Sequence, residues 1–240
     1  MYTPFSSLNF DKRFISVIGS GGKTTFLRYL STRLRGSVIL TTSTHFYPPT
    51  EDCLITSGLD DSYLPAEQVQ HDIRSALMHH RVIILGQKVK SGKLGDPSGA
   101  VSFEALKPEA DHIIVEADGS HHLPLKAHRS FEPVNPPCSD LTVCLIGASG
   151  IGQTAKSVCH CSELFCELAG ISENQMVTEQ DIATVINREN LADIYLVNQF
   201  DVLSDPMAAI RLCQLIEKPA SICQLDPVFS GFSPSGVPQL

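Results

Sequence analysis

Residues 14–25 read Phe-Ile-Ser-Val-Ile-Gly-Ser-Gly-Gly-Lys-Thr-Thr, and this stretch decides the fold. Its first five residues form a short, mostly apolar run that is typical of a buried strand. Three glycines then mark a turn, and the spacing of apolar residues over 24–34 predicts a helix. A strand, a glycine-rich turn and a helix in this order make up a phosphate-binding loop.

The residue types in the turn suit a bound triphosphate. Gly19, Gly21 and Gly22 tolerate positive φ and let the backbone approach an anion, and helix N-terminal amides point toward it. Lys23 supplies a charge for the β- and γ-phosphates, and the Thr24 hydroxyl is a ligand for Mg²⁺. We therefore predict a site for Mg²⁺ with ATP or GTP. Its predicted nucleotide-binding residues in this loop are Gly19, Ser20, Gly21, Gly22, Lys23, Thr24 and Thr25.

One position departs from the usual phosphate-loop pattern. That pattern has a glycine five residues before Gly22, and Val17 stands there. A glycine-rich turn that serves packing alone is the alternative interpretation.

Short β-rich runs alternate with longer segments of helical spacing along the chain, which predicts a parallel sheet covered by helices. The predicted strands are 14–18, 38–42, 82–86, 113–117, 141–146, 194–198 and 221–225. The predicted helices are 24–34, 66–79, 162–169, 178–186 and 206–217, with Thr178 and Asp181 as an N-cap signal. We expect a single α/β domain over 1–240, three-layered and P-loop NTPase-like, with helices on both faces of a mostly parallel sheet.

Composition excludes several classes of partner and location. The net charge of −8 disfavours a nucleic-acid-binding surface, which needs a basic stripe. The first 13 residues lack the pattern of a signal peptide, and no apolar run approaches the roughly 20 residues of a membrane span. We therefore expect a cytoplasmic protein without membrane contact, whose eight cysteines are thiols.

Two aperiodic stretches, 87–99 and 120–140, directly follow predicted strands. The carboxyl ends of parallel strands are where open α/β sheets bind ligands. Both stretches are candidate site loops, and surface connections are the alternative.

The predicted strand 113–117 runs into two acids. Glu116 and Asp118 would project to one side if the strand continues that far. P-loop enzymes present a carboxylate in this way to Mg²⁺ or to an attacking nucleophile. We predict that Glu116 and Asp118 are catalytic and, with Thr24, hold the metal ion; a pair of solvated acids is the alternative.

The strand at 194–198 ends in Asn198-Gln199-Phe200-Asp201. GTPases place an Asn-Lys-x-Asp sequence at such a strand end, where the aspartate accepts hydrogen bonds from guanine. Gln199 replaces the lysine here, so an ordinary turn remains the alternative. Asn198 and Asp201 are candidate base-binding residues that favour GTP slightly over ATP.

A histidine between two cysteines, Cys159-His160-Cys161, is followed by Cys166. The spacing fits no common Zn²⁺ pattern, and Cys166 lies on the apolar side of a predicted amphipathic helix. The sequence alone therefore does not favour a metal site here.

Six motifs taken together resemble a known family, the YqeC-type accessory proteins of selenium-dependent molybdenum hydroxylases. They occur in the family's order and span about residues 8 to 201. They are Gly-Ser-Gly-Gly-Lys-Thr-Thr at 19–25, Thr-Thr-Ser-Thr at 41–44, Gly-Lys-Leu at 92–94, Val-Glu-Ala-Asp-Gly-Ser at 115–120, Leu-Pro-Leu-Lys-Ala at 123–127 and Glu-Pro-Val at 132–134. His121 departs from the family by replacing a basic residue, and Cys159 and Cys161 stand where relatives usually show no cysteine.

The resemblance implies a nucleotide-binding protein that helps to mature a molybdenum hydroxylase carrying selenium. The implied partners are that hydroxylase or its cofactor-maturation proteins. We expect an NTP hydrolase or phosphotransferase; the alternatives are a nucleotide-gated chaperone with little turnover and a small-molecule kinase or ligase of the Mur-ligase type. Matching positions assign the family's site residues to Lys23, Thr24, Thr25, Glu116, Asp118 and Lys126. Among them, Lys23 and Lys126 are the predicted catalytic cations.

Overall fold

A computed structural model describes residues 3–47 and 53–225, which fold as an α/β structure with a large, mostly parallel sheet. The strands are β1 (Phe14–Gly19), β2 (Val38–Thr42), β3 (His45–Phe46), β4 (Cys53–Leu59), β5 (Ser62–Tyr63), β6 (Val82–Lys88), β7 (Leu94–Gly95), β8 (His112–Glu116), β9 (Leu125–Lys126), β10 (Leu141–Gly147), β11 (Cys159–His160), β12 (Ile194–Asn198) and β13 (Ala220–Ile222). The helices are α1 (Lys23–Arg33), α2 (Ala66–Leu77), α3 (Phe103–Leu106), α4 (Ala155–Val158), α5 (Ser162–Ala169), α6 (Glu179–Glu189) and α7 (Met207–Leu215).

The main sheet has the strand order β13-β12-β10-β1-β8-β2-β6-β4-β5. All neighbours from β13 to β4 are parallel, whereas β5, β7 and β3 add antiparallel pairs at the far side. After β1 the chain continues to β2 on one side, and after β10 it continues to β12 on the other. The carboxyl ends of β1 and β10 therefore meet at a topological switch point, where open sheets bind ligands.

Both faces of the sheet are covered by helices, but unequally. Successive side chains of a strand point to opposite faces, so Ile15 and Val17 of β1 pack in the core under α1. Phe14 and Ile18 pack in the larger core under α2, α5, α6 and α7. Each of these four side chains is fully buried, which contributes about 1.5–3 kcal/mol apiece. Within the described residues, no helix is both long and apolar enough to cross a membrane.

All the predicted strands and helices are present, with ends that differ by a few residues. The strand predicted at 221–225 is shorter, at Ala220–Ile222. The predicted cap of α6 is confirmed as a capping box, in which the backbone N–H of Asp181 donates to Thr178 Oγ1 at 3.3 Å and that of Thr178 donates to Asp181 Oδ2 at 2.9 Å. This pairing fixes where α6 begins.

The sequence prediction missed several strands. The strand β4 carries Thr56, Ser57 and Gly58 inside its apolar run, which hides its pattern. The stretches 87–99 and 120–140 are not wholly loops, because they contain β7 and β9, and residues 87–88 belong to β6. Two-residue strands are too short to produce a period of two. The first stretch therefore extends the sheet as a hairpin, and the second forms a small parallel sheet of β9 with β11.

Candidate functional site

The glycine-rich loop between β1 and α1 lies against the end of β10. Gly19, Gly21 and Gly22 have φ values of +84°, +81° and +126°. A Cβ at Gly19 would lie 2.2 Å from the carbonyl oxygen of Leu145, and one at Gly21 would lie 2.4 Å from the Gly147 backbone. Close packing therefore requires these glycines whatever the loop binds. The ligand of the loop has to be inferred from the groups around it.

The loop directs the N-terminus of α1 toward this edge of the sheet. Ser20 fixes the loop, because its N–H donates to Leu145 at 2.8 Å and its hydroxyl donates to the Pro124 carbonyl at 2.7 Å. Gly22 is the N-cap, and in the described part of the chain no side chain caps the first turn. The leading N–H groups of a helix lack intrahelical partners and carry the positive end of its dipole. The first turn, which includes Thr25, is therefore able to bind an anion.

Lys23 is buried between this loop and the acidic end of β8. Its Nζ donates to the Gly19 carbonyl at 2.6 Å and to Ser120 Oγ at 3.2 Å, and it lies 3.1 Å from Asp118 Oδ1. Only 4% of the Lys23 side chain is exposed. The fold thus brings the predicted cation and one predicted acid into direct contact.

Glu116 ends β8 and faces the first turn of α1. Thr24 Oγ1 donates to Glu116 Oε2 at 3.3 Å. Burial raises the pKa of Glu116 to about 7, assisted by the charge of Asp118 and opposed by Lys23 and Thr24. A desolvated carboxylate of this kind is stabilised by an added cation. Glu116 and Thr24 together offer the oxygen ligands that Mg²⁺ prefers, so the donor set fits that ion.

Asp118 is completely buried and has a different environment. Its Oδ2 accepts from the Gly19 N–H at 2.9 Å and lies 2.9 Å from His128 Nε2 and 3.5 Å from Lys126 Nζ. Burial favours a higher pKa, but Lys23, the hydrogen bond to His128 and Lys126 outweigh it and lower the pKa of Asp118 to about 2. We interpret Asp118 as the anchor of the loop and of these cations, rather than as a metal ligand.

Two further side chains extend this network. Lys126 Nζ donates to the Gly119 carbonyl at 2.6 Å and lies 3.1 Å from Glu132 Oε1. His128 Nδ1 lies 2.9 Å from Glu189 Oε2. Burial opposes the charge on His128, but its hydrogen bonds to Asp118 and Glu189 raise the pKa of its imidazole.

Sequence reasoning missed His128 and Glu189. His128 lies in the aperiodic stretch 120–140, and Glu189 ends α6, where an acid has no distinguishing pattern. The two meet only in the folded structure, where α6 packs on the larger core. No local signal in the sequence identifies such a pair.

The base-recognition candidates have different environments. Asn198 Nδ2 donates to the Gly21 carbonyl at 2.8 Å, and its Oδ1 accepts from the Leu225 N–H at 3.1 Å. Asp201 is exposed in a 3-10 turn, Phe200–Val202. Asn198 therefore holds the glycine-rich loop to the end of β12. The role of Asp201 in binding a base stays a prediction.

Comparison with known proteins agrees with the resemblance of the motifs. A model of the YqeC protein family matches residues 15–163, which is more than half of the chain. The Uncharacterized protein YqeC of Escherichia coli (strain K12) is 27% identical over 218 residues, which cover 85% of this chain and 82% of that relative. No solved structure matches. The chain belongs to the YqeC family, and the matched segment contains the loop, both acids and Lys126.

Proposed function

We propose that this member of the YqeC family binds Mg²⁺ with ATP or GTP at the loop between β1 and α1. The observation that carries the proposal is the convergence of three groups on one sheet edge: the uncapped N-terminus of α1, the buried Lys23, and the desolvated Glu116 beside Thr24. They are a donor surface for phosphate, a compensating charge, and an oxygen pair for the metal ion. Close packing explains the glycines of the loop, but it requires neither the buried Lys23 nor the pairing of Glu116 with Thr24.

The chain's own residues have separate roles in the proposed complex. The N–H groups of the first turn of α1 donate to phosphate oxygens, and Lys23 exchanges its contacts with Gly19 and Ser120 for phosphate. Asp118 keeps Lys23 at the loop. Glu116 and Thr24 hold Mg²⁺ directly or through water, and the ion, when bound, neutralises charge that develops on the phosphates.

The biological role that we propose is accessory: the protein helps to mature a selenium-dependent molybdenum hydroxylase. This part of the proposal rests on the resemblance of the motifs to the YqeC-type accessory proteins. Nucleotide hydrolysis or phosphoryl transfer would supply the driving reaction.

A second candidate is a nucleotide-gated binding protein with little turnover. It is favoured by the environment of Asp118, whose Oδ2 has three partners and whose Oδ1 faces Lys23. If Glu116 holds the metal ion, Asp118 is poorly placed to orient a nucleophile. Phosphate release measured with and without a partner hydroxylase separates the two candidates.

Nucleotide binding is tested by thermal unfolding with Mg²⁺ and each nucleoside triphosphate. A ligand at about 100 times its Kd stabilises the folded state by about 2.7 kcal/mol. Lys23→Ala should weaken binding roughly 10- to 150-fold, since a charge-assisted hydrogen bond contributes about 1.5–3 kcal/mol. Lys12→Ala is the matched control, because Lys12 is exposed. An unchanged melting temperature with every nucleotide at millimolar concentration would refute the proposal.

A further inference from the structure

Three side chains of different chemistry meet outside the proposed nucleotide site. One carboxylate oxygen of Glu132, a ring nitrogen of His160 and Sγ of Cys161 all lie within 4.8 Å of one another. All three residues are half-buried. None of the three has a role in the proposed binding of nucleotide.

The small sheet of β9 and β11 explains why they meet. It pairs Lys126 with His160 in parallel register, and the N–H of Ala127 donates to the His160 carbonyl at 3.1 Å. Lys126 Nζ lies 3.1 Å from Glu132 Oε1, so it holds Glu132 beside the same pair of strands. Residues far apart in the chain are therefore fixed by backbone pairing and one buried cation.

The backbone at Cys161 places its thiol with His160. Successive residues of a strand point to opposite sides, and Cys159 accordingly packs in the larger core. Cys161 leaves the strand in a left-handed conformation, with φ of 59°, and is the N-cap of α5. His121 stacks on the His160 ring with centroids 4.7 Å apart, which restrains the imidazole.

The carboxylate of Glu132 has one oxygen without a partner. Oε2 is buried and makes no hydrogen bond within residues 3–47 and 53–225, whereas Oε1 faces Lys126. Leaving a buried carboxylate oxygen unpaired costs free energy unless another group binds it. A cation bound beside His160 and Cys161 is such a group.

We propose that Glu132, His160 and Cys161 form a binding site for Zn²⁺. A set of one oxygen, one nitrogen and one sulfur suits this borderline ion, whereas Mg²⁺ and Ca²⁺ take oxygen ligands. Zinc–ligand bonds of about 2.0–2.3 Å in tetrahedral geometry put ligand atoms about 3.4–3.7 Å apart. Because the three ligand atoms already lie within 4.8 Å of one another, side-chain rotations that move them by about 1 Å bring them to that spacing. Three protein ligands leave a fourth position for water or a donor from a substrate.

This cluster differs from the one that the cysteine spacing suggests. Cys159 and Cys166 lie in the core with the apolar side chains of α5 and α6. Glu132 takes their place as a ligand, and it belongs to the aperiodic stretch 120–140, far from Cys161 in the sequence. Two of the four residues that the spacing groups together, His160 and Cys161, therefore belong to the cluster.

The binding test uses the full chain, stripped of metal and titrated with Zn²⁺ against a chromophoric chelator. We expect one equivalent to bind, and at least about 100-fold weaker binding in Cys161→Ser, His160→Gln and Glu132→Gln, since loss of an outer-shell partner alone costs 10- to 100-fold. Cys138→Ser is the matched control, because Cys138 is also a half-buried free thiol. Absence of an equimolar site, or Zn²⁺ binding unchanged in Cys161→Ser, would overturn the proposal.

If the variants fail to fold, a second measurement tests the site in the unaltered chain. Iodoacetamide modifies accessible thiols, and peptide mass spectrometry reports each cysteine separately. Zn²⁺ should protect Cys161 and leave Cys53 and Cys138 reactive. Co²⁺ in place of Zn²⁺ should give a thiolate-to-cobalt charge-transfer band. Equal protection of all three thiols, or no such band, counts against the site.

Discussion

Glu116 and Asp118 lie two residues apart at the end of β8, yet their surroundings shift the pKa values of the two carboxylates in opposite directions. Asp118 is surrounded by Lys23, Lys126 and His128, and its pKa falls to about 2. Glu116 has one hydroxyl contact at 3.3 Å, and burial raises its pKa to about 7. Acids whose environments move their pKa values apart have different roles. We infer that Asp118 organises the site and that Glu116 is left for a cation.

The comparison also separates stability from function. Asp118 stabilises the folded protein through contacts that are already made. Glu116 carries a desolvation cost that a proton or a bound cation relieves, which is typical of functional sites. Substitutions at the two positions should therefore change the free energy of unfolding in opposite directions.

The largest expected effect is that of Asp118→Asn. Removing one partner of a buried ion pair leaves uncompensated charge, here on Lys23, and typically costs about 3–5 kcal/mol. Urea unfolding at pH 7 measures the loss. Asp61→Asn is the control, because Asp61 is exposed and should change stability by less than about 0.5 kcal/mol.

Urea unfolding repeated at acidic pH tests the lowered pKa of Asp118. The pKa of Asp118 is lowered from 3.8 to about 2, so its contribution to stability is present above pH 3.8 and is lost as the pH falls toward 2. Asp118→Asn should flatten that part of the curve. A variant as stable as the unaltered chain would mean that the network does not hold the loop.

Glu116→Gln should have the opposite sign. The pKa of Glu116 rises from 4.5 to about 7 on folding, so the folded state binds the extra proton and stability falls as the pH rises from 4.5 to 7. At 1.36 kcal/mol per pH unit, the loss is roughly 3 kcal/mol. The variant should be more stable than the unaltered chain at pH 8 and similar at pH 4.

Nucleotide should reduce that difference in stability if Glu116 holds the metal ion. Mg²⁺ with a nucleoside triphosphate should then stabilise the unaltered chain more than Glu116→Gln. Thermal unfolding at pH 8, with and without the ligand, gives both numbers. If the free energy of unfolding changes with pH in the same way for the unaltered chain and Glu116→Gln, Glu116 is not desolvated as described.

The sequence predicted the elements better than the network. The loop, the helix α1 and the acids of β8 follow from local patterns, because strand alternation and glycine-rich turns act over a few residues. The contact between Lys23 and Asp118 depends on β8 lying next to β1, which no short-range pattern specifies. The partition of roles between Glu116 and Asp118 depends in turn on His128, which reaches the site through tertiary packing.

His128→Gln should have an intermediate effect. It removes a buried cation from between Asp118 and Glu189, and hydrogen bonds to charged groups contribute about 1.5–3 kcal/mol. The pKa of His128 is raised on folding from 6.5, so this stability is fully present below pH 6.5 and is lost as the pH rises through the raised value. Urea unfolding at pH 6 and pH 9 should therefore give a larger difference at pH 6.

The control for this histidine is His79→Gln, because His79 is exposed. It should change the free energy of unfolding little at either pH. An effect of His128→Gln that is equal at pH 6 and pH 9 would contradict a charged imidazole between the two acids.

The smallest effect on stability is expected at Asp201, and it extends the comparison to the end of β12. Asn198 resembles Asp118 in that its amide is used by the protein, whereas Asp201 is exposed. Asp201→Asn should therefore change the free energy of unfolding by less than about 0.5 kcal/mol. If its carboxylate accepts hydrogen bonds from guanine, the amide should weaken GTP binding roughly 10- to 150-fold, admit xanthine nucleotides, and leave ATP unaffected. Asn198→Ala, which loosens the loop, should instead weaken binding of every nucleotide. If Asp201→Asn binds guanine nucleotides, and likewise xanthine nucleotides, with the same affinity as the unaltered chain, the segment 198–201 serves the fold alone.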